Sequence, residues 1–231
     1  METSGIEIFA TKGAEYIFVI GFLLLLIFIW RFLNAPGKPR NPGTEPHGTA
    51  LLLNPRFRIA EGYFYHQGHS WAVPEKQDVA RVGIDDFAQQ LLGEPAKVDL
   101  PQIGSRIEQG EKGWKLWVDS KSIDILSPVE GEVVAVNNEA VRTPALLNRD
   151  PYGSGWLVKV KIPNMNKNLR NLMSGDLAMA WMKETADALE HRIHAHIGSP
   201  SKAASDPFNG IARNLFPENW DKFAAKFLSE N

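Results

Sequence analysis

Between Tyr63 and Pro163 the chain is cut into short runs of β-branched and aromatic residues, each bounded by turn-forming Gly, Pro, Asn or Asp. The runs are Tyr63 to Tyr65, Val79 to Val82, Lys97 to Leu100, Trp114 to Val118, Ile123 to Leu126, Glu132 to Val136 and Trp156 to Ile162. Runs of this length and composition predict strands, and together they predict a small, mainly β domain. One helix interrupts them, from Asp85 to Leu92. Asp85 suits its N-cap, Phe87, Leu91 and Leu92 make an apolar face, and Gly93 follows as a stop.

The flanks have a different character. Ile17 to Trp30 is unbroken apolar sequence apart from Gly21, with Phe32 and Leu33 beyond Arg31. A helix from Ala14 to Leu33 is about 20 residues, roughly 30 Å at 1.5 Å per residue, which is enough to cross a bilayer core. Tyr16 and Trp30 sit near its ends, where amphipathic rings favour the interface, and Arg31 can snorkel to headgroups. A cleaved signal peptide wants a basic start, whereas Glu2, Glu7 and Glu15 outnumber Lys12 here, so a retained single span is expected. Arg31, Lys38 and Arg40 follow the run, which places the N-terminus outside and the C-terminal part on the cytoplasmic face of an inner or cytoplasmic membrane.

Residues 34–60 read as a linker, because Pro36, Pro39, Pro42 and Pro46 alternate with Gly37, Gly43 and Gly48. After Pro163 the pattern turns helical. Ser174 suits the cap of a helix from Gly175 to His194, with Leu177, Trp181 and Leu189 on one side. A last helix from Pro217 to Leu228 carries an apolar stripe of Trp220, Phe223, Ala224 and Phe227, which must dock on something because so short a helix is marginal alone. The expected division is 1–33, tail and transmembrane helix; 34–60, linker; 61–163, β domain; 164–231, helical extension.

A net charge of −2 gives no electrostatic case for nucleic acid. The chain has no cysteine, which excludes disulfides, thiolate metal sites, cysteine-ligated clusters and a cysteine nucleophile. There is no Gly-rich phosphate loop and no Ser-based nucleophile motif, so nothing marks the chain as an enzyme by itself.

Several ordered motifs in the β region carry a family likeness. They are Gly68-His69-Ser70-Trp71, Val82-Gly83-Ile84-Asp85-Asp86-Phe87-Ala88-Gln89, Leu92-Gly93-Glu94, Val98-Asp99-Leu100-Pro101-Gln102-Ile103-Gly104, Ser127-Pro128-Val129-Glu130-Gly131-Glu132-Val133, and the block from Asn148 to Lys161. In that order they resemble the glycine cleavage system H protein, a lipoyl-bearing carrier. The resemblance implies a lipoyl-type barrel-sandwich hybrid of two small sheets, with a lipoyl lysine at the tip of a hairpin. An exposed lysine there is reachable by a lipoylating enzyme, and the long arm then carries a group or an electron pair between active sites.

At the tip this chain departs from the pattern. Counting without gaps forward from Gly110-Glu111, or backward from Ser127-Pro128, puts Ser120 at the lysine position and Lys121 one residue late. A one-residue slip along a strand turns a side chain to the opposite face. Lys121 is therefore either a displaced attachment point for lipoate or an ordinary solvated turn lysine.

His191, His194 and His196, with Glu190, are weak candidates for a metal site, against a solvated helix end whose imidazoles complement the dipole. His69, within the family motif, reads as structural. Trp114 and Trp117 near the hairpin tip, and Trp220, Phe223 and Phe227 on the last helix, are candidates for an interface or for packing on the domain itself. The expected function is a non-catalytic, membrane-anchored accessory or scaffold subunit of a larger membrane complex, without cofactor, whose partners are lipid and the other subunits. The alternative is a carrier lipoylated on Lys121 that serves membrane-associated redox or one-carbon chemistry.

Overall fold

The structure is a computed structural model that describes residues 19–27, 50–54, 57–76, 78–197 and 209–230. The chain divides into two units, Met1–Thr44 and Glu45–Asn231. In the first, residues 19–27 form a helix (α1) whose side chains are all exposed. The remainder of the expected span, with Tyr16, Trp30 and Arg31, lies outside the described residues. Among those described, no helix is long and apolar enough to cross a membrane.

In the second unit the short runs do become strands. β3 (Phe64–Tyr65), β4 (Ser70–Lys76), β5 (Val79–Ile84), β7 (Arg106–Ile107), β10 (Gly131–Val136) and β11 (Val158–Lys161) make one antiparallel sheet in the order β3-β4-β5-β11-β10-β7. β6 (Lys97–Asp99), β8 (Lys112–Val118) and β9 (Lys121–Leu126) make a second. Alternation aims Val82, Ile84, Val158 and Val160 from the first sheet, and Leu116, Val118, Ile123 and Ile125 from the second, into one core. Trp71 lies across its strand partner Gly83, where an added Cβ would fall 2.4 Å from the indole. Its ring N–H donates to the Ile84 carbonyl at 2.7 Å.

Helix α2 (Asp86–Leu92) starts and stops as its sequence predicts. The Asp85 side chain accepts the Ala88 N–H at 2.8 Å, and Gly93, at φ 78, ends the helix. Asp85 also holds His69 Nδ1 at 2.8 Å, and the imidazole is stacked between Phe87 and Trp181. His69 is thus a buried brace between β4 and α2.

Residues 34–60 are not a linker throughout. β1 (Ala50–Asn54) and β2 (Phe57–Ala60) pair as a separate two-stranded sheet, and Phe57 and Ile59 are in the core. The reason lies in α2. The buried Asp86 carboxylate accepts the Arg58 backbone N–H at 2.8 Å and pairs with the Arg58 guanidinium at 3.2 Å, clamping β2 onto the helix.

The Asn148 to Lys161 block begins in a helical turn. After α3 (Asn138–Arg142), α4 (Leu146–Arg149) leads into a loop whose Asp150 carboxylate accepts N–H groups of Gly153 and Ser154. Burial works to raise the Asp150 pKa, and these hydrogen bonds, with that of the Ser154 hydroxyl and the charge of Arg58, more than offset it, leaving the carboxyl below its usual range.

α5 (Met165–Arg170) precedes α6 (Gly175–Ile197). The face that α6 buries is the expected one at Leu189 and Trp181 but not at Leu177. Ala178, Met182, Ala186 and Leu189 are inside, Trp181 is half-buried, and Leu177 is 62% exposed. Small side chains at that spacing let the helix approach closely, and this set the contact face more than side-chain size did.

Candidate functional site

The hairpin β8–β9 carries the position to which the family resemblance directs attention. Val118 pairs with Lys121, so Asp119 and Ser120 are the two-residue connection. Asp119 has φ 52, as the first central residue of a primed hairpin turn requires. Ser120 is exposed at the apex, and Lys121 already belongs to β9.

Lys121 does not project into solvent. Its ammonium donates to Asp221 Oδ1 at 2.6 Å and to the Glu218 carbonyl oxygen, and the side chain is 37% exposed. On the other side of the apex, Asp119 accepts from Arg213 Nη1 at 3.2 Å. The partners come from α7 (Ile211–Leu215), from α8 (Trp220–Leu228) and, for Glu218, from the turn between them, at the far end of the chain. The hydrogen bond from Lys121 is the main reason that Asp221 titrates below the usual carboxylate range.

The remaining sequence candidates fall elsewhere. Trp114 is 3% exposed and points with Leu116 and Val118 into the core. Trp117 faces the other way, half-buried, and its indole N–H donates to Asp99 on the neighbouring β6. Lys97 pairs with the same carboxylate at 2.7 Å and stands 5.6 Å from the Trp117 ring. Trp220, Phe223 and Phe227 are likewise buried in this domain, with Phe227 against Phe87 at 5.5 Å and Phe223 stacked on Phe216 at 4.3 Å. Of the two readings, interface or packing on the domain itself, Trp114, Trp220, Phe223 and Phe227 follow the second. Their apolar area is already covered by their own chain, which is where the hydrophobic gain is largest for residues that close in space.

His191 and His194 are exposed on α6, with His194 Nε2 3.7 Å from Glu190; the His196 side chain lies outside the described residues. Among the described residues no group of three or more His, Cys, Asp or Glu is placed to hold a metal. The weak metal reading gains no third ligand.

Arg213, Glu218 and Asp221 were missed by sequence reasoning. They lie between 94 and 100 positions from their partners at the tip, and no local pattern marks such a pairing.

The family model described as "Glycine cleavage H-protein" matches residues 63–185, which is more than half of the chain. The chain belongs to the glycine cleavage H-protein family. A probable glycine cleavage system H protein of Pyrococcus abyssi is 34% identical over 127 residues, covering 55% of this chain and 94% of that protein. The glycine cleavage system H protein of Thermus thermophilus is 42% identical over 107 residues, covering 46% and 83%. A crystal structure of a glycine cleavage system H protein from Mycobacterium marinum shares 28% identity and a TM-score of 0.48, covering 55% of this chain and 99% of that one. The β region is therefore an H-protein-like, lipoyl-carrier type of domain, which is not an enzyme by itself. The family match ends within α6, so the helices that contact the tip, α7 and α8, lie beyond it.

Proposed function

We propose that this chain is a non-catalytic, membrane-anchored H-protein-like accessory subunit of a larger membrane complex, and that its hairpin carries no lipoyl arm. The observation that carries this reading is the tip. A lipoyl group is held through an amide to a lysine amine. The apex residue here is Ser120, whose hydroxyl cannot form that bond, and the neighbouring amine of Lys121 is engaged by Asp221 and Glu218. The residues present do not fit the group, and no transfer step is assigned to it.

The membrane anchor rests on residues 19–27, a helix with Val19, Ile20, Phe22 and Leu23 to Ile27 all exposed. A contiguous apolar surface of this kind is a lipid or protein contact, not a solvated face. The cations at Arg31, Lys38 and Arg40 support a cytoplasmic position for the β domain. Tethering an interaction domain to the bilayer raises its effective concentration at membrane partners without strong contacts.

Family membership favours one other reading, a carrier modified on Lys121, since that amine stands one residue from the apex. The accessory reading predicts that the full chain, extracted from its native membrane in mild detergent, elutes with other subunits at fixed stoichiometry and resists removal by alkaline carbonate. Elution as a lone chain, or release by carbonate, overturns it.

A further inference from the structure

The contacts that hold α7 and α8 converge on the hairpin tip and the surface beside it. Their charges are reciprocal to the tip: Arg213 faces Asp119, and Asp221 faces Lys121. Between these pairs and the core, Trp220, Phe223, Phe227 and Leu228 are buried, with Phe227 on Phe87 of α2. The Gly210 N–H donates to the Gln90 carbonyl of α2 at 2.9 Å, fixing the start of α7. The end of α8 is fitted as closely. A Cβ at Gly68 would lie 2.8 Å from the Leu228 carbonyl oxygen, a backbone atom that cannot swing aside.

We propose that α7 and α8 form a cis-acting cover for the hairpin tip, answering both of its charged residues and occupying the apolar surface beside them. It deepens the accessory reading, and rests on it, by naming how the tip is regulated. A partner that reads the tip must displace the cover, and to do so must offer what the cover offers. That is a cation for Asp119, an anion for Lys121, and aromatic anchors at the i, i+3 and i+7 spacing of Trp220, Phe223 and Phe227. Until it is displaced, the Lys121 amine is held on its two acceptors.

The test is the acetylation rate of Lys121 in the full chain with sulfosuccinimidyl acetate, read by peptide mass against Lys183, which is exposed on α6. The amine attacks the ester carbonyl, N-hydroxysulfosuccinimide leaves, and the proton passes to buffer. Wild type is expected to label Lys121 at least about fivefold more slowly than Lys183, because labelling waits on local opening. Gly68→Ala, which pushes on Leu228 and touches neither charge pair, is expected to bring the two rates within about twofold while amide exchange rises across α8 and stays slow in β4 and β5. Phe223→Asp, which places a charge in the buried face of α8, is read in the same way. Equal rates in wild type overturn the proposal, as does a variant that opens α8 and leaves Lys121 slow. Rates are taken on chain whose tip peptide carries no adduct. An adduct on Lys121 therefore counts against the accessory reading, and fast labelling of the unmodified amine counts against the cover.

Discussion

Asp221 meets the Lys121 ammonium with one oxygen at 2.6 Å, and that hydrogen bond is the largest influence on its titration. Its folded pKa is depressed below the ordinary 3.8, so its contribution to docking is present above the unfolded value and is lost as pH falls through the folded one. Carboxyl carbon NMR of Asp221 is expected to show a midpoint below 3.8 that returns towards 3.8 in Lys121→Met. A midpoint at or above 3.8 in the wild type contradicts the pairing. None of this was legible locally. Lys121 could be read as a displaced attachment point or a turn lysine but not as an ion-pair partner, because the residue that engages it is supplied by the last helix of the chain. What was legible was the hairpin itself. Counting from both sides put Ser120 at the apex, and the pairing of Val118 with Lys121 leaves it there.

At the scale of elements, α2 and the strands were readable because each declares itself within a few residues. Asp85 caps, Gly93 stops, and the alternation in β8 and β11 repeats often enough to set a face. β2 was not readable. Its four residues follow Pro55 in a stretch dominated by proline and glycine, and its stability comes from Asp86, which lies 28 positions on. The face of α6 was found in part: Leu189 is buried and Trp181 packs on the core, whereas Leu177 is exposed and the weaker-looking Ala178, Met182 and Ala186 are inside. The pairing of β1 and β2 makes a stability prediction. Phe57→Ala should cost about 3–5 kcal/mol in urea unfolding, the range for truncating a fully buried aromatic. A cost below about 1 kcal/mol, of the size seen at surface positions, shows instead that residues 50–60 are an ornament on the domain.

The whole molecule joins a family domain to additions at both ends. The matched segment, 63–185, supplies the two sheets and the hairpin. The C-terminal addition closes over the tip of that hairpin, and the N-terminal one contains the apolar run. On the proposal made above, an H-protein-like domain with Ser120 at its apex and α7 and α8 against its tip serves as a binding module rather than a shuttle. The change from strands to helices after Pro163 was legible from the change of period, and both parts fall in the one unit Glu45–Asn231. That the extension folds back on the hairpin was not legible, since an amphipathic helix shows its apolar face without showing what the face meets.

The central claim, that the tip carries no arm, is tested most directly by mass. The full chain is purified from its native membrane, from cells whose other lipoyl carriers are shown to be loaded, and the peptides spanning Lys115 to Lys121 are mapped. The account predicts an intact mass without a lipoyl increment and Ser120 and Lys121 both unmodified. A lipoyl adduct on Lys121 contradicts it and makes this chain a carrier.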